Sequence, residues 1–377
     1  MGAAGFRLRA AAVAVVAAFA VSAPAAHAEP GDTIGGPALA STGVVVQPTA
    51  GVPPLPNVSA AGWVVADAGT GEVLAARNPH GRYLPASTLK TLTAVSLLPE
   101  VDLNAFYTPS WEDVNIEGSK VGMRQNVRYP VGKLMEAMLV VSGNDAANAV
   151  ANAAGGLPKT VGLMNATAKR LQANDTLARN PSGLDAPGQV TSAYDLALIA
   201  RAGLAMPQFE KYVGTLRDYF PAPGGAKFEI YNHNKLLTRY PGNIGIKTGF
   251  TVKARKTYVG AARRDGHTIV VTLLKAETSY PDAVALLDWG FAATGRTTPV
   301  GRLVDPLPDA PTERADRSRV EPLAAPPAVA PVPAKTSGGN DLPYVPVGAG
   351  AVLVGSVVAL RVRATRRYRP SLRLPSA

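Results

Sequence analysis

Three short stretches of the chain put reactive side chains where helices or strands should begin or end. In Pro85-Ala86-Ser87-Thr88-Leu89-Lys90 a serine opens an apolar run and a lysine follows three residues later. On a helix that spacing stacks the two side chains on one face, one turn apart. A serine hydroxyl becomes a nucleophile beside a base, and a lysine serves as that base where burial or a second cation populates its neutral amine. The Ser87 amide, in the first turn, is a donor able to face an oxyanion. The same residues equally describe an N-cap serine and a lysine reaching to solvent, so the pair alone leaves both readings open. Val141-Ser142-Gly143-Asn144-Asp145 sits where one apolar helix stops and another starts. Ser142 suits proton relay and Asn144 suits an amide, while a plain turn with Asn144 or Asp145 as N-cap fits as well. Ile246-Lys247-Thr248-Gly249-Phe250 reads as strand, with a cation and a hydroxyl ahead of a glycine that permits close approach of a ligand. A carboxylate-ended substrate suits it.

The three stretches come in the order Ser87, Ser142, Lys247, at separations of 55 and 105 residues. Together they resemble the signature of the serine penicillin-recognising enzymes, and more closely the D-alanyl-D-alanine carboxypeptidases among the low-molecular-mass penicillin-binding proteins. Residues 62–75, 85–94, 141–149, 183–200 and 232–251 are similar to that family too, so the resemblance spans about 61–293. It implies a β-lactamase/transpeptidase-like fold and a D,D-carboxypeptidase acting on peptidoglycan stem peptides that end in D-Ala-D-Ala, with β-lactams as acylating inhibitors. It also implies roles: Ser87 as nucleophile, Lys90 as general base, Ser142 in proton transfer to the leaving amine, and Asn144 on the peptide amide or on Lys90. Lys247 and Thr248 would meet the terminal carboxylate beside Gly249, and the amides of Ser87 and Phe250 would form the oxyanion hole. The chain departs from the family after Phe250, where Val252-Lys253-Ala254-Arg255-Lys256 replaces the usual alanine-glycine pair. That basic stretch would either alter substrate access or bind carboxylates.

These residues need a scaffold, and the pattern of apolar residues supplies an α/β (α+β) one. Segments 61–67 and 72–77 form a hairpin through Ala68-Gly69-Thr70-Gly71, and 257–263 and 267–275 form a second through Asp265-Gly266, with 243–251 as a neighbouring strand. Helical spacing covers 87–98, 131–141, 145–154, 160–173, 193–203 and 282–293. The simplest packing is an antiparallel five-stranded sheet with an inserted helical region. This catalytic domain is expected over 57–301, between a Gly/Pro-rich linker at 29–56 and a Pro/Ala-rich linker at 302–341.

The ends point to a membrane. Residues 1–28 carry Arg7 and Arg9, an apolar run and Ala26-His27-Ala28, the order of a secretory signal peptide. Residues 342–360 hold no charge, and 19 residues at about 1.5 Å each reach ~28 Å, close to the thickness of a bilayer core. Six arginines in 361–377 then read as a basic cytoplasmic tail, which puts the catalytic domain on the extracytoplasmic side of a single-pass cell-membrane protein.

Composition excludes several functions. The chain has 377 residues, no Cys and a net charge of +11. Without cysteine there is no thiolate metal site, disulfide framework or cysteine nucleophile. The two acid-free ends contribute eight arginines, and the 30 remaining bases face 27 acids, so nucleic acid is not an expected partner. No tight His/carboxylate ligand motif appears, so no metal or other cofactor is expected. Two rivals stay open. A β-lactamase of this fold needs a deacylating base, yet no Glu occurs between Glu136 and Glu210, leaving Asp175 and Asp185 as substitutes. A silent peptidoglycan-binding membrane protein would keep the groove without the chemistry.

Overall fold

Valine, isoleucine, leucine and alanine run between turn residues at both ends of the folded chain, and there the strands form. The structure is a computed structural model that describes residues 33–308. The expected signal 1–28, span 342–360 and tail 361–377 lie outside the described residues. Among the described residues no helix is long and apolar enough to cross a membrane. In chain order the strands are β1 (Val44–Val46), β2 (Gly62–Asp67), β3 (Glu72–Arg77), β4 (Phe106–Tyr107), β5 (Tyr129–Pro130), β6 (Arg217–Pro221), β7 (Lys227–Tyr231), β8 (Asn243–Thr251), β9 (Arg255–Arg264), β10 (His267–Ala276) and β11 (Gly301–Arg302). The helices are α1 (Lys90–Leu97), α2 (Trp111–Val114), α3 (Val131–Val140), α4 (Asn144–Ala153), α5 (Leu157–Arg170), α6 (Ala193–Leu204), α7 (Pro207–Gly214), α8 (Leu236–Arg239) and α9 (Tyr280–Ala293).

The main sheet is antiparallel with the order β1-β3-β2-β10-β9-β8, and β11 joins the free edge of β3 beside β1. It therefore has seven strands where five were expected. The five expected strands are all present; the additions are short pieces at one edge. The stretch 29–56, expected as a linker, supplies β1 and a 3-10 turn at Pro37–Ala40 with buried Leu39. Likewise the folded chain continues past 301, because Leu303 is buried and Arg201 donates to its carbonyl at 3.0 Å. Three valines in a row had too little length to register as a strand against the surrounding Gly and Pro.

The sheet is covered on both faces, and its side chains alternate accordingly. Trp63 and Val65 of β2, with Ile269, Val271 and Leu273 of β10, pack with Leu286, Leu287 and Trp289 of α9. Val64, Ala66 and Val270 join the larger core built with α1, α3, α4 and α6. The inserted helical region carries one hairpin the sequence pattern did not reveal, β6–β7, whose connection Ala222-Pro223-Gly224-Gly225-Ala226 resembles an ordinary loop.

Candidate active site

The expected helix at 87–98 divides in two. Residues Ala86–Leu89 form a 3-10 turn and the α-helix begins at Lys90, with Ala86 at φ +47°. In a 3-10 turn residues three apart eclipse, which brings Lys90 Nζ to 3.2 Å from Ser87 Oγ. Thr257 of β9 donates to the Pro85 carbonyl at 2.9 Å, so the sheet holds the turn that carries the serine. Gly183 faces the turn from the opposite loop at φ +83°, where any Cβ would lie within the Ala86 carbonyl.

Lys90 is fully buried, and its Nζ donates to Asn144 Oδ1 at 2.7 Å and to the Ser182 carbonyl at 2.6 Å. Burial, and then the charge of Lys247, hold its pKa well below the ordinary lysine value, with Asp145 opposing. Asn144 does not cap α4; Gly143 occupies the N-cap position. Its amide is used at both ends, since Nδ2 donates to the Glu117 carbonyl at 2.7 Å, so among its alternatives the contacts match positioning of Lys90. Asp145 is not the cap either. Its carboxylate accepts from the amides of Val121 and Gly122, both at 2.9 Å, and so fixes the loop before α3 against the site. The carbonyl of Ser182 is a contact that residue types could not reveal. It is set by Asn180, whose Oδ1 accepts from the amides of Ser182 and Gly183 at 3.2 and 2.8 Å.

Ser142 ends α3 in the left-handed region, φ +60°, a conformation costing about 1 kcal/mol or more for a residue with a Cβ. It lines a cleft of about 320 Å³ together with Ser87, Thr248, Gly249 and Phe250. Lys90, Asn144 and Lys247 are buried behind that surface. Lys247 is 1% exposed, and burial pushes its pKa down to about 7; its Nζ donates to the Thr248 carbonyl at 2.9 Å. Phe250 is 63% exposed at the rim. His233 and Tyr280, which the sequence did not single out, also line the cleft, as does Lys256 of the basic stretch. The His233 pKa is lowered by burial and by Lys247, which favours the neutral imidazole. In the basic stretch, Lys256 thus faces the cleft while Lys253 and Arg255 are exposed at the β8–β9 turn.

Gly249 shows how closely β8 crosses the nucleophile. A Cβ there would run into Thr257 Oγ1 and stand 2.8 Å from the Ser87 amide and 3.0 Å from the Thr88 amide. Gly249→Ala is expected to push strand and turn apart and lower the rate of acylation by penicillin about 10-fold to 100-fold, because misplacement of this order costs that much. Stopped-flow or gel-based labelling with a fluorescent penicillin, beside a melting curve showing an intact fold, checks it.

Comparison with known proteins gives consistent results. Residues 47–278 match the family described as D-alanyl-D-alanine carboxypeptidase. The chain is 43% identical over 255 residues to D-alanyl-D-alanine carboxypeptidase DacB2 of Mycobacterium tuberculosis, covering 66% of this chain and 87% of that protein. A crystal structure of a D-alanyl-D-alanine carboxypeptidase from the same organism is similar at TM-score 0.65 and 41% identity, over 68% of this chain and 100% of that one. A Streptomyces DD-transpeptidase is similar at TM-score 0.59 and 28% identity, over 63% and 98%.

Proposed function

The chain belongs to the D-alanyl-D-alanine carboxypeptidase family of serine peptidases, and we propose that it removes the terminal D-Ala from peptidoglycan stem pentapeptides through an acyl-enzyme on Ser87. The observation that carries this reading is the hydrogen bonding of Lys90. A neutral amine has two N–H bonds and one lone pair. As an ammonium Lys90 donates to all three partners. Burial and the charge of Lys247 favour the neutral amine, and then the Asn144 side chain and the Ser182 carbonyl accept its two N–H bonds, which leaves the lone pair for the Ser87 hydroxyl 3.2 Å away. Lys90 is thereby the general base.

Ser87 Oγ bonds to the carbonyl carbon of the penultimate D-Ala and gives its proton to Lys90. The developing oxyanion meets the amides of Ser87 and Phe250, a placement supported by the passage of Gly249 over the Ser87 amide. The C–N bond to the terminal D-Ala then breaks, and its nitrogen takes a proton relayed through Ser142. Lys247 and Thr248 hold the departing carboxylate. Binding of that carboxylate raises the pKa of Lys247 from its depressed free value, so the site gains its cation as the substrate arrives. Water, giving a proton to the again neutral Lys90, finally attacks the ester carbonyl, and the C–O bond to Ser87 breaks as its oxygen takes that proton back. A β-lactam follows the same first step, but its leaving nitrogen remains tethered.

Slow deacylation of the β-lactam adduct is supported by the cleft itself, because none of its lining residues carries a carboxylate. The two aspartates considered as substitute bases are engaged elsewhere. Asp175 accepts from Arg82 at 3.1 Å in a different cavity, and Asp185 accepts from Thr251 Oγ1 at 2.9 Å. The proposal includes an extracytoplasmic catalytic domain held at the cell membrane, supported by the signal-like residues 1–28 and the uncharged stretch 342–360 ahead of six arginines. The test supplies the purified chain with a stem pentapeptide and measures D-Ala released. Stoichiometric release of one D-Ala per peptide is expected, and intact peptide after prolonged incubation would overturn the reading.

A further inference from the structure

A second cluster of reactive groups lies away from the cleft. His80 follows β3, Asp175 follows α5, and Asp195 stands in the first turn of α6; one donor atom from each falls within 4.8 Å of the other two. The three share a cavity of about 520 Å³. Each has one side-chain atom held by a neighbour outside the trio. His80 Nε2 lies 3.1 Å from the Ile34 carbonyl, which only accepts, so Nε2 carries the hydrogen. Arg82 Nε donates to Asp175 Oδ1 at 3.1 Å, and Thr176 Oγ1 donates to Asp195 Oδ2 at 2.7 Å.

The second atom of each residue is less evenly provided for. With hydrogen on Nε2, the 2.8 Å contact from His80 Nδ1 to Asp175 Oδ2 is a hydrogen bond only when His80 carries a second hydrogen on Nδ1, and a metal ion would take the place of that proton. Asp195 is 1% exposed, and its Oδ1 is buried without a hydrogen-bond partner among the described residues. A buried carboxylate oxygen left unpaired is costly, and either a proton or a bound cation relieves that cost. An outer shell of this kind, with a histidine tied to a backbone carbonyl and carboxylates fixed by neighbours, is how proteins orient metal ligands.

We propose that His80, Asp175 and Asp195 bind a divalent first-row transition ion, with Zn²⁺ as the preferred ion. One imidazole and two carboxylates suit Zn²⁺ better than Ca²⁺ or Mg²⁺, which favour all-oxygen shells. Bond lengths of about 2.0–2.2 Å set donor separations near 3.3 Å, so closing on the ion takes side-chain shifts of about 1.5 Å. Three protein donors leave a fourth position for water from the cavity. The ion would join the segment after β3, which leads to Ser87, to the start of α6 and, through Ile34, to the first described residues. Its role is structural.

The test strips the full-length chain with EDTA, removes the chelator, and titrates ZnCl₂ and, separately, MnCl₂ under equilibrium dialysis with elemental analysis. Binding of one Zn²⁺ per chain at micromolar free metal is expected, with Mn²⁺ weaker and a melting temperature raised by at least about 4 °C at hundredfold excess over Kd. His80→Gln and Asp195→Asn should each lose that equivalent. His267→Gln, which removes the exposed histidine paired with Asp67, should keep it. No bound Zn²⁺ in the parent chain, or an equivalent retained by both site variants, overturns the proposal. The parent stoichiometry decides where a variant fails to fold, as judged by circular dichroism.

Discussion

Ser87→Ala is expected to leave a folded protein that forms no covalent adduct with penicillin and releases D-Ala at least ~10⁴-fold more slowly, the scale on which loss of a nucleophile is felt. The side chain is half-buried, and the contacts holding its turn come from elsewhere: Thr257 on the Pro85 carbonyl, and Lys90 on Asn144 and Ser182. Removing one hydroxyl therefore subtracts the chemistry and little of the packing. Intact mass spectrometry from seconds to hours, with the adduct mapped by digestion, checks both halves. The parent chain should show a persistent adduct on Ser87, since the cleft lining has no carboxylate to activate the deacylating water. Rapid drug consumption without an adduct would instead indicate a β-lactamase, and an adduct in the Ser87 variant would sink the mechanism.

The reach of sequence reasoning follows from what each part of the site is made of. Ser87, Ser142, Thr248, Gly249 and Phe250 line one cleft. Residue type and spacing alone leave capping and turn readings open for the first two, and the resemblance of the three motifs to a family singles the set out, whereas the five central strands were legible from alternating apolar runs closed by turns such as Asp265-Gly266. Backbone groups were not legible. The Ser182 carbonyl on Lys90 is supplied by a loop 92 residues away, and any residue type offers a carbonyl. The edge strands β1 and β11 were missed because three and two residues carry no period, and only pairing with β3 makes them strands. His80, Asp175 and Asp195 likewise escaped a search for ligand motifs, because short spacings reveal metal sites on one element while these donors come from three.

Lys90→Arg separates charge from basicity. Arginine keeps a cation able to donate to Asn144 and to the Ser182 carbonyl, but it does not lose its proton at any working pH. If Lys90 served the fold alone, this variant should retain much of its activity; as general base it should fall by ~10³-fold or more, with Lys90→Ala falling similarly. The pH profile supplies a readout that packing would not move. In the parent chain kcat/KM should rise as Lys90 loses its proton, and burial beside Lys247 puts that step well below the ordinary lysine value. It should fall again on the alkaline side as Lys247, depressed to about 7 in the free protein, loses the charge that attracts the substrate carboxylate. A thioester acyl donor lacking the terminal carboxylate should keep the acid limb and lose the alkaline one, and Lys247→Ala should do the same with the natural peptide. An alkaline limb that persists in both would show that it belongs to another group, while an acid limb unchanged in Lys90→Arg would remove Lys90 from the role of base.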